Sequence, residues 1–567
     1  MLFFACGVRA IEAMNGQDGY LYAGASARPY DFLARFPDAY YGMRFGYILP
    51  SWVLNRLFGV EAGFFLLRFG LLGSICLIMR LSGRLAPSVA LFAAVVVSTS
   101  PIIAVATFNT YVMATAVLGF VIGAVLLATV RDLDSRGLAR VAMAGAAVAV
   151  AWNSHFVALP IGIVVFAAFV VDHVVQRPRH PLKGFALYCA AFAIGTFVVV
   201  AGGVLIYGLR FGVWDVYGPS LAQSRRSTDG FFLEPGFRWL SWRHYLLVGP
   251  LGLVAGALAW RTEADEFVRV VLRRLTVFTG VSLALFASLQ WLQNSPLLAT
   301  YFYSALPLSL GTVTLALASA AVIRRETQHT RVLGVALVAA ILVAIVLGSQ
   351  IGGRYAIVLS GSIVVMALGV ASMTVTRLRG LAVGAILVAA AWASVSSPHD
   401  FPGTPGGYRT DPFYDDMFFA YDPSTMDRVE MVDQLSRALP SLPTERGELL
   451  VWFDSAQPYD QLTAPFVWYR SALQGPADAP MPQMTATVRE RVLDRRPRFI
   501  VIIDGQESDA DLGAAEIAAL APYSVAWKRA FSRGDLAAHV ILLERAAGTW
   551  RDFPCSTGDD GKPLICS

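Results

Sequence analysis

The sequence predicts a polytopic α-helical membrane protein of about 12–13 transmembrane helices with an extracytoplasmic α/β domain at its C-terminal end. Three observations predict it. Hydrophobic residues make up 56% of the 567-residue chain and charged residues only 15%, against roughly 25% charged in a soluble domain. With a mean hydropathy of +0.57, one water-surrounded core cannot hide the apolar surface, so lipid must cover part of it. Apolar segments of spanning length recur up to about residue 397, and arginines gather in alternate connections between them.

The chain opens on MLFFACGVRA, which is too short to span alone. It reads as the tail of a first helix whose start is missing, which makes a parent of thirteen helices. A cleaved signal peptide is the alternative, but the stub lacks a basic leader and a cleavage site. A polar loop follows, NGQDGYLYAGASARPYDF, with Asp18, Tyr20, Tyr22 and Asp31, and then Asp38, Tyr40, Tyr41 and Arg44. Twelve segments then meet the requirement of roughly 20 apolar residues, some marginally: 61–79, 85–106, 110–130, 138–152, 156–175, 184–207, 244–260, 275–293, 301–323, 332–350, 355–376 and 380–397. The fourth is short enough to form a broken pair with the fifth.

Orientation comes from the connections. Arg80 and Arg84 fill one. Arg131, Arg136 and Arg140 mark the second after it, then Arg177, Arg179 and Lys183. Arg261, Arg269, Arg273 and Arg274 continue the series, then Arg324, Arg325 and Arg331, then Arg377 and Arg379. Of the short connections between these, only that with Arg354 carries notable positive charge. Positive loops stay cytoplasmic, and one register satisfies all six. It puts the first polar loop, the segment 208–243 and everything after about residue 398 outside. The net charge of +5 is orientation charge of this kind, not a nucleic-acid surface.

From Pro398 the composition changes to the Pro-, Asp- and Gly-rich PHDFPGTPGGYRTDPFYDD, a linker pattern. Helical spacing over MDRVEMVDQLSRAL precedes the strand pattern ELLVWFD, and ATVRERVLDRR precedes RFIVIID. AAEIAAL is helical, and SVAWKRAF and AAHVILLE close as strands. The organisation is therefore 1–397 membrane domain and 398–567 extracytoplasmic α/β domain. Cys555 and Cys566 lie in that outer part, where a disulfide can form. Cys6, Cys76 and Cys189 fall in apolar segments as packing residues.

No Walker loop, HExxH, GxSxG or dinucleotide fingerprint is present, which leaves ATP-driven transport and zinc proteolysis without support. The informative polar residues lie on the outer side. Besides the first loop, they are His155 in WNSHF, Arg225 and Arg226 in SLAQSRRSTDGFF, and Tyr301 and Tyr303 in LLATYFYSALP.

The first loop QDGYLYAGA, then YYGMRFGYILPSWVLNRLFG, many helices and an outer α/β tail resemble the GT-C superfamily, membrane glycosyltransferases fed by polyprenyl-phosphate sugars. Within it the chain is most similar to bacterial proteins of the dolichyl-phosphate-mannose–protein mannosyltransferase type. The resemblance implies that Asp18, with Tyr22 four residues on, is the catalytic base. It also implies an inverting transfer at the outer face of the cytoplasmic membrane. The partners it implies are a polyprenyl-phosphate-linked sugar donor, a glycan, lipid or protein acceptor, and membrane lipids. Many members carry two adjacent acids here. This chain has Gln17 before Asp18 and Gly19 after it, so a divalent metal lacks support, no cofactor is expected, and one acid is left to act.

The chemistry is consistent with these residue types. Transfer from a phosphate-linked donor needs a base for the acceptor hydroxyl and cations for the leaving phosphate. If the loop is helical from Gly16, Asp18 and Tyr22 share a face. Arg44, Arg225 and Arg226 are the cations, suited to bidentate phosphate contact; His155 and Tyr301 join them as substrate-binding residues. Plainer readings stand beside these. Asp18 favours a helix dipole, Arg44 snorkels, Arg225 and Arg226 form a solvated patch, His155 is a turn residue, and Tyr301 belongs to an interfacial aromatic belt. Two other classes stay open: a polytopic transporter or lipid flippase, and a membrane-anchored assembly protein with an outer binding domain. The topology is directly testable. Cysteines introduced in 131–137 should label only after the inner face is exposed, and one near residue 410 should label in intact cells. The reverse at either place overturns the register.

Overall fold

In the computed structural model the chain divides into two compact units: Met1–Asn15 with Asp38–Tyr421, and Gly16–Pro37 with Asp422–Ser567. The structure describes residues 17–27, 29–35, 40–85, scattered positions from 89 to 107, 112–176, 181–219, 221, 248–292 and 301–324. In the C-terminal part it describes 449–453, 497–504, 511, 514–515, 523–533 and 536–546. The expected spans 332–350, 355–376 and 380–397, the N-terminal stub, the helix from Met426 and both outer cysteines lie outside the described residues.

The first polar loop folds as two helices, α1 (Gln17–Ala27) and α2 (Pro29–Arg35), which belong to the second unit. The first unit follows. A 3-10 turn (Tyr40–Met43) leads into α3 (Phe45–Phe58), and α4 (Val60–Gly83) succeeds it after one residue. Gly59 makes that joint with φ 84°, a conformation glycine adopts without steric cost. Then come α5 (Met113–Ala128), α6 (Ser135–Ser154), α7 (Ala158–Gln176) and α8 (Pro181–Ile206), which ends in a π-helical turn, Tyr207–Phe211. The described helices of this unit close with α9 (Val248–Thr262), α10 (Glu266–Leu292) and α11 (Tyr301–Arg324).

Inside lipid each backbone group must be satisfied within its own segment, so spanning segments are helical. Among the described residues, four helical stretches are long and apolar enough to cross a membrane: Ala62–Gly83, Leu182–Phe211, Glu266–Leu289 and Tyr303–Ala321. Two expectations shift. The fourth span is not a short piece: α6 runs 20 residues and is separated from α7 by a turn. Its Ala- and Gly-rich sequence made it look marginal. The connection with Arg269, Arg273 and Arg274 is not a loop either, because α10 begins at Glu266 and carries all three on its first turns.

Helix α6 is the packing centre of the described bundle. The Asp134 side chain caps it, accepting from the Gly137 amide at 2.6 Å. Small residues then let three helices approach its backbone. A Cβ on Gly46 of α3 would come within 2.3 Å of the Val150 carbonyl oxygen, and one on Gly119 of α5 within 2.4 Å of that of Ala147. One on Gly195 of α8 would come within 1.8 Å of the Ala142 carbonyl oxygen. Van der Waals contact between small residues is the main attraction available between helices in lipid. Helix α11 is buried along its whole apolar window, and packs on α9, where Gly252 sits against the Gly311 backbone.

One ionic network ties the Arg-bearing end together. The Asp172 carboxylate of α7 accepts from Arg273 Nη2 at 2.8 Å and Arg274 Nε at 2.7 Å. The Arg274 Nη1 also donates to the carbonyls of Ala128 and Val130, at the end of α5. Its guanidinium lies 5.4 Å from the Phe169 ring. Three helices thus meet on one buried cation.

In the second unit, the strands β1 (Leu449–Phe453), β2 (Phe499–Asp504), β3 (Tyr523–Arg533) and β4 (Leu536–Arg545) form a sheet of order β1-β2-β4-β3. The β1–β2 pair is parallel and the other pairs antiparallel, with a bulge between Val525 and Trp527. The consecutive residues Ile500–Ile503 and Val540–Leu543 are all buried. Both faces of these central strands are therefore covered, as a layered domain requires.

Removing the shared carboxylate strands a buried charge. Asp172→Ala should cost about 3–5 kcal/mol, seen as a lower unfolding temperature of the purified protein in detergent. Arg273→Ala should cost less than Arg274→Ala, because the Arg273 side chain is 31% exposed and that of Arg274 only 4%.

Candidate functional site

The α6–α7 turn gathers a cluster from four distant parts of the first unit. Helix α6 stops because His155 is extended (φ −146°, ψ 117°), with its amide still donating to Ala151. The last carbonyls of α6 are then open to other donors. Arg44, just before α3, fills one of them: its Nη1 donates to the Ser154 carbonyl at 3.0 Å. A cation there also meets the negative end of the helix dipole. The same guanidinium lies 5.2 Å from the Phe156 ring centroid, which orients its plane.

The other contacts come from α8 and α11. The His155 ring meets the Tyr303 ring edge-on, centroids 5.2 Å apart. Tyr217, beyond the π-helical turn, donates its hydroxyl to Asn153 Oδ1 at 2.8 Å, while Asn153 Nδ2 donates to the Ala149 carbonyl at 2.7 Å. Asp215 shapes that segment: its Oδ1 accepts from the amides of Tyr217 and Gly218, at 3.3 and 2.7 Å. The Tyr207 hydroxyl donates to the Gly42 carbonyl at 2.8 Å, fastening the end of α8 to the turn that precedes Arg44. Ser154 Oγ accepts from Thr115 Oγ1 at 2.8 Å and donates to Val150, so α5 joins the same turn.

Burial first, and then the Arg44 charge, hold the His155 imidazole well below its ordinary value. It is therefore neutral at physiological pH. Burial pushes the Tyr217 phenol up to about 12, so it donates as a neutral hydroxyl. The cluster thus combines one fixed positive charge with neutral donors, aromatic faces and the amide-bound Asp215 carboxylate, and can position an anionic or polar group.

Of the residues singled out in the sequence, Arg44 and His155 are brought to the same turn. Tyr301 opens α11 two residues before Tyr303, and only its backbone is described. Asp18 and Tyr22 lie on α1 of the second unit. The Tyr22 side chain is buried, and for Asp18 the backbone alone is described. Arg225 and Arg226 lie outside the described residues. Asn153, Phe156, Tyr207 and Tyr217 were not foreseen. The polar WNSHF already held two of them, whereas Tyr207 and Tyr217 make partners 165 and 64 residues away and carry no local signal.

The neutral His155 sets a pH dependence. The unfolded chain protonates this imidazole as pH falls below 6.5, while the folded chain resists protonation, so stability falls with pH through that window. Thermal unfolding of the purified protein at pH 7.5 and 5.5 should show the loss. His155→Phe should flatten it, and Arg44→Gln should flatten it less. An unchanged pH slope in His155→Phe would overturn the assignment.

No protein-family model and no curated protein sequence matches the chain. Solved structures do. ArnT from Cupriavidus metallidurans bound to undecaprenyl phosphate is similar over 95% of this chain and 95% of its own, with a TM-score of 0.52 at 11% identity. The same protein in the apo state matches over the same shares, with a TM-score of 0.51 at 13% identity. The archaeal oligosaccharyltransferase AglB from Archaeoglobus fulgidus, in complex with an inhibitory peptide and a dolichol-phosphate, is covered over 74% of its length by 98% of this chain. It aligns at a TM-score of 0.39 and 14% identity. The agreement with ArnT spans nearly the whole of both chains, and the chain therefore has the GT-C fold that its first-loop motifs resemble.

Proposed function

We propose that the chain is an inverting glycosyltransferase that takes a sugar from a polyprenyl phosphate and passes it to a glycan, lipid or protein acceptor. It acts at the outer face of the cytoplasmic membrane. The observation that carries this reading is the fold shared over 95% of both chains with a protein holding undecaprenyl phosphate, in a chain whose first-loop helix opens on an isolated acid. Residues 1–397 form the catalytic membrane domain, and 398–567 form an extracytoplasmic α/β domain.

In this reading Asp18 removes the proton from the acceptor hydroxyl. The acceptor oxygen then attacks the anomeric carbon from the face opposite the phosphate. The bond between that carbon and the phosphate oxygen breaks, and its electron pair leaves with the polyprenyl phosphate, which inverts the configuration. Cations are needed where that charge develops. Arg44, oriented by Ser154 and Phe156, is one; Arg225 and Arg226 are the others. His155 and Tyr301 line the acceptor or sugar side, and Tyr22 sits one helical turn from Asp18 on the same face. A donor whose tail stays in lipid requires the reaction to occur at the membrane surface, which explains a catalytic domain made of spans.

The test is transfer of labelled sugar from polyprenyl-phosphate sugars by the purified protein in lipid vesicles. A positioned base contributes typically about 10²–10⁴-fold to rate. Asp18→Asn should lose about that much turnover while expressing and binding donor normally. Arg225→Ala with Arg226→Ala should instead raise the donor KM. Full activity in Asp18→Asn removes the base assignment. Absence of transfer from every donor by the wild-type protein, with substrate movement across the vesicle instead, favours a transporter.

A further inference from the structure

A second cationic site lies at the Arg-rich end of the first unit, away from the cluster at the α6–α7 turn. Arg84 follows α4 in the left-handed conformation, φ 50° and ψ 41°. It is the one non-glycine with positive φ among the described residues. Helices that end this way usually place glycine there, because a Cβ crowds the following carbonyl. An arginine at such a position carries a backbone cost that glycine would not. Its guanidinium carbon lies 4.5 Å from the centroid of the Phe267 ring. Arg131, from the connection after α5, lies 5.3 Å from the same centroid. Phe267 itself is buried near the start of α10. Two cations from separate elements thus converge on one ring, no further apart than those two distances end to end.

Both arginines are exposed, and among the described residues neither guanidinium makes a hydrogen bond or ion pair. Asp132 follows Arg131 and Glu266 precedes Phe267, both exposed, while four other acids nearby in the chain have partners of their own. Asp172 serves Arg273 and Arg274, Asp134 caps α6, and Asp265 accepts from the amides of Phe267 and Val268. Glu263 accepts from the Asp265 amide. The like charges repel each other, and an anion placed between them turns that repulsion into attraction. The approach to the pair is apolar. Leu77 and Leu81 share a face in the last turns of α4, and are 57% and 65% exposed.

We propose that Arg84, Phe267 and Arg131 form a binding site for an anionic phospholipid. Its phosphate sits between the two guanidinium groups, and one acyl chain lies along Leu77 and Leu81. The ring holds both cations at the depth where the span ends, which is where a headgroup phosphate lies. Cationic pockets between spans are a general means of holding anionic headgroups. A lipid, and not a free anion, is the occupant because the cation pair continues into a lipid-facing apolar track. The site is independent of the glycosyl-transfer reading.

The test uses the purified full chain in maltoside micelles, titrated with phosphatidylglycerol, phosphatidylcholine or inorganic phosphate, with the unfolding temperature as readout. Phosphatidylglycerol should raise the wild-type unfolding temperature, while phosphatidylcholine and inorganic phosphate should not. Arg84→Gly relieves the backbone, so its lipid-free stability should hold or rise. The phosphatidylglycerol concentration needed for half the effect should rise about fivefold. Arg131→Gln should show a similar rise, and Arg136→Gln, an exposed arginine of the same end that does not touch Phe267, should match wild type. Unchanged half-effect concentrations in both Arg84→Gly and Arg131→Gln overturn the proposal. So does equal protection by phosphatidylcholine, and protection by inorganic phosphate assigns a free-anion site instead. If either variant fails to fold, the other decides.

Discussion

Close approach to the backbone of α6 is the constraint on which the rest of the first unit depends. Helices in lipid gain little from hiding apolar side chains from one another, so contact must come from surfaces that fit. α6 offers a surface of Ala and Gly, and α3, α5 and α8 each bring a glycine to its carbonyls. A side chain larger than hydrogen at Gly46, Gly119 or Gly195 would meet backbone, which cannot give way as a flexible side chain can. These three contacts fix the place of α6 in the bundle, and the α6–α7 turn is where Arg44, Ser154, His155, Phe156 and Tyr303 meet.

The two ends of the bundle solve opposite electrostatic problems. At the α6–α7 turn a single arginine is balanced by a helix dipole and a ring, and the histidine beside it stays neutral. Asp215, the carboxylate of the described cluster, accepts from backbone amides. At the other end arginines outnumber acids. One pair shares Asp172 and supports three helices, while a second pair faces a ring. The same residue type thus closes a helix end, ties three helices together or lies over a ring, according to what lies within a few ångströms.

Much of this was legible in the sequence, and the gaps have physical reasons. Spans announced themselves by length and hydropathy, and the strands by runs such as FIVIID. α6 was underrated because the Ala and Gly that suit helix contact contribute little hydropathy. Arg273 and Arg274 were read only as loop charge, because a charged start to a helix looks like a connection until its partner Asp172, about 100 residues earlier, is known. The helix around Asp18 was legible only as a condition, because glycines, tyrosines and small residues read first as a loop. Tyr207 and Tyr217 were not legible, since their roles exist only once α8 lies beside α6 and the turn before Arg44.

The single-residue joint at Gly59 fixes rotational phase. α3 and α4 are separated by that residue alone, its amide bonded to Asn55 and its carbonyl accepting from Gly63. A Cβ there would meet no neighbour within 4 Å, so the position is limited by its own torsion and not by crowding. A helix turns about 100° for each residue. One residue added or lost at this joint would therefore rotate α3 against α4 by about that angle. It would swing Arg44 off the last carbonyl of α6 while leaving every span hydrophobic and of proper length. The count of residues between these two helices is therefore a gear ratio that sets the phase of α3, and of the cation ahead of it, against α4.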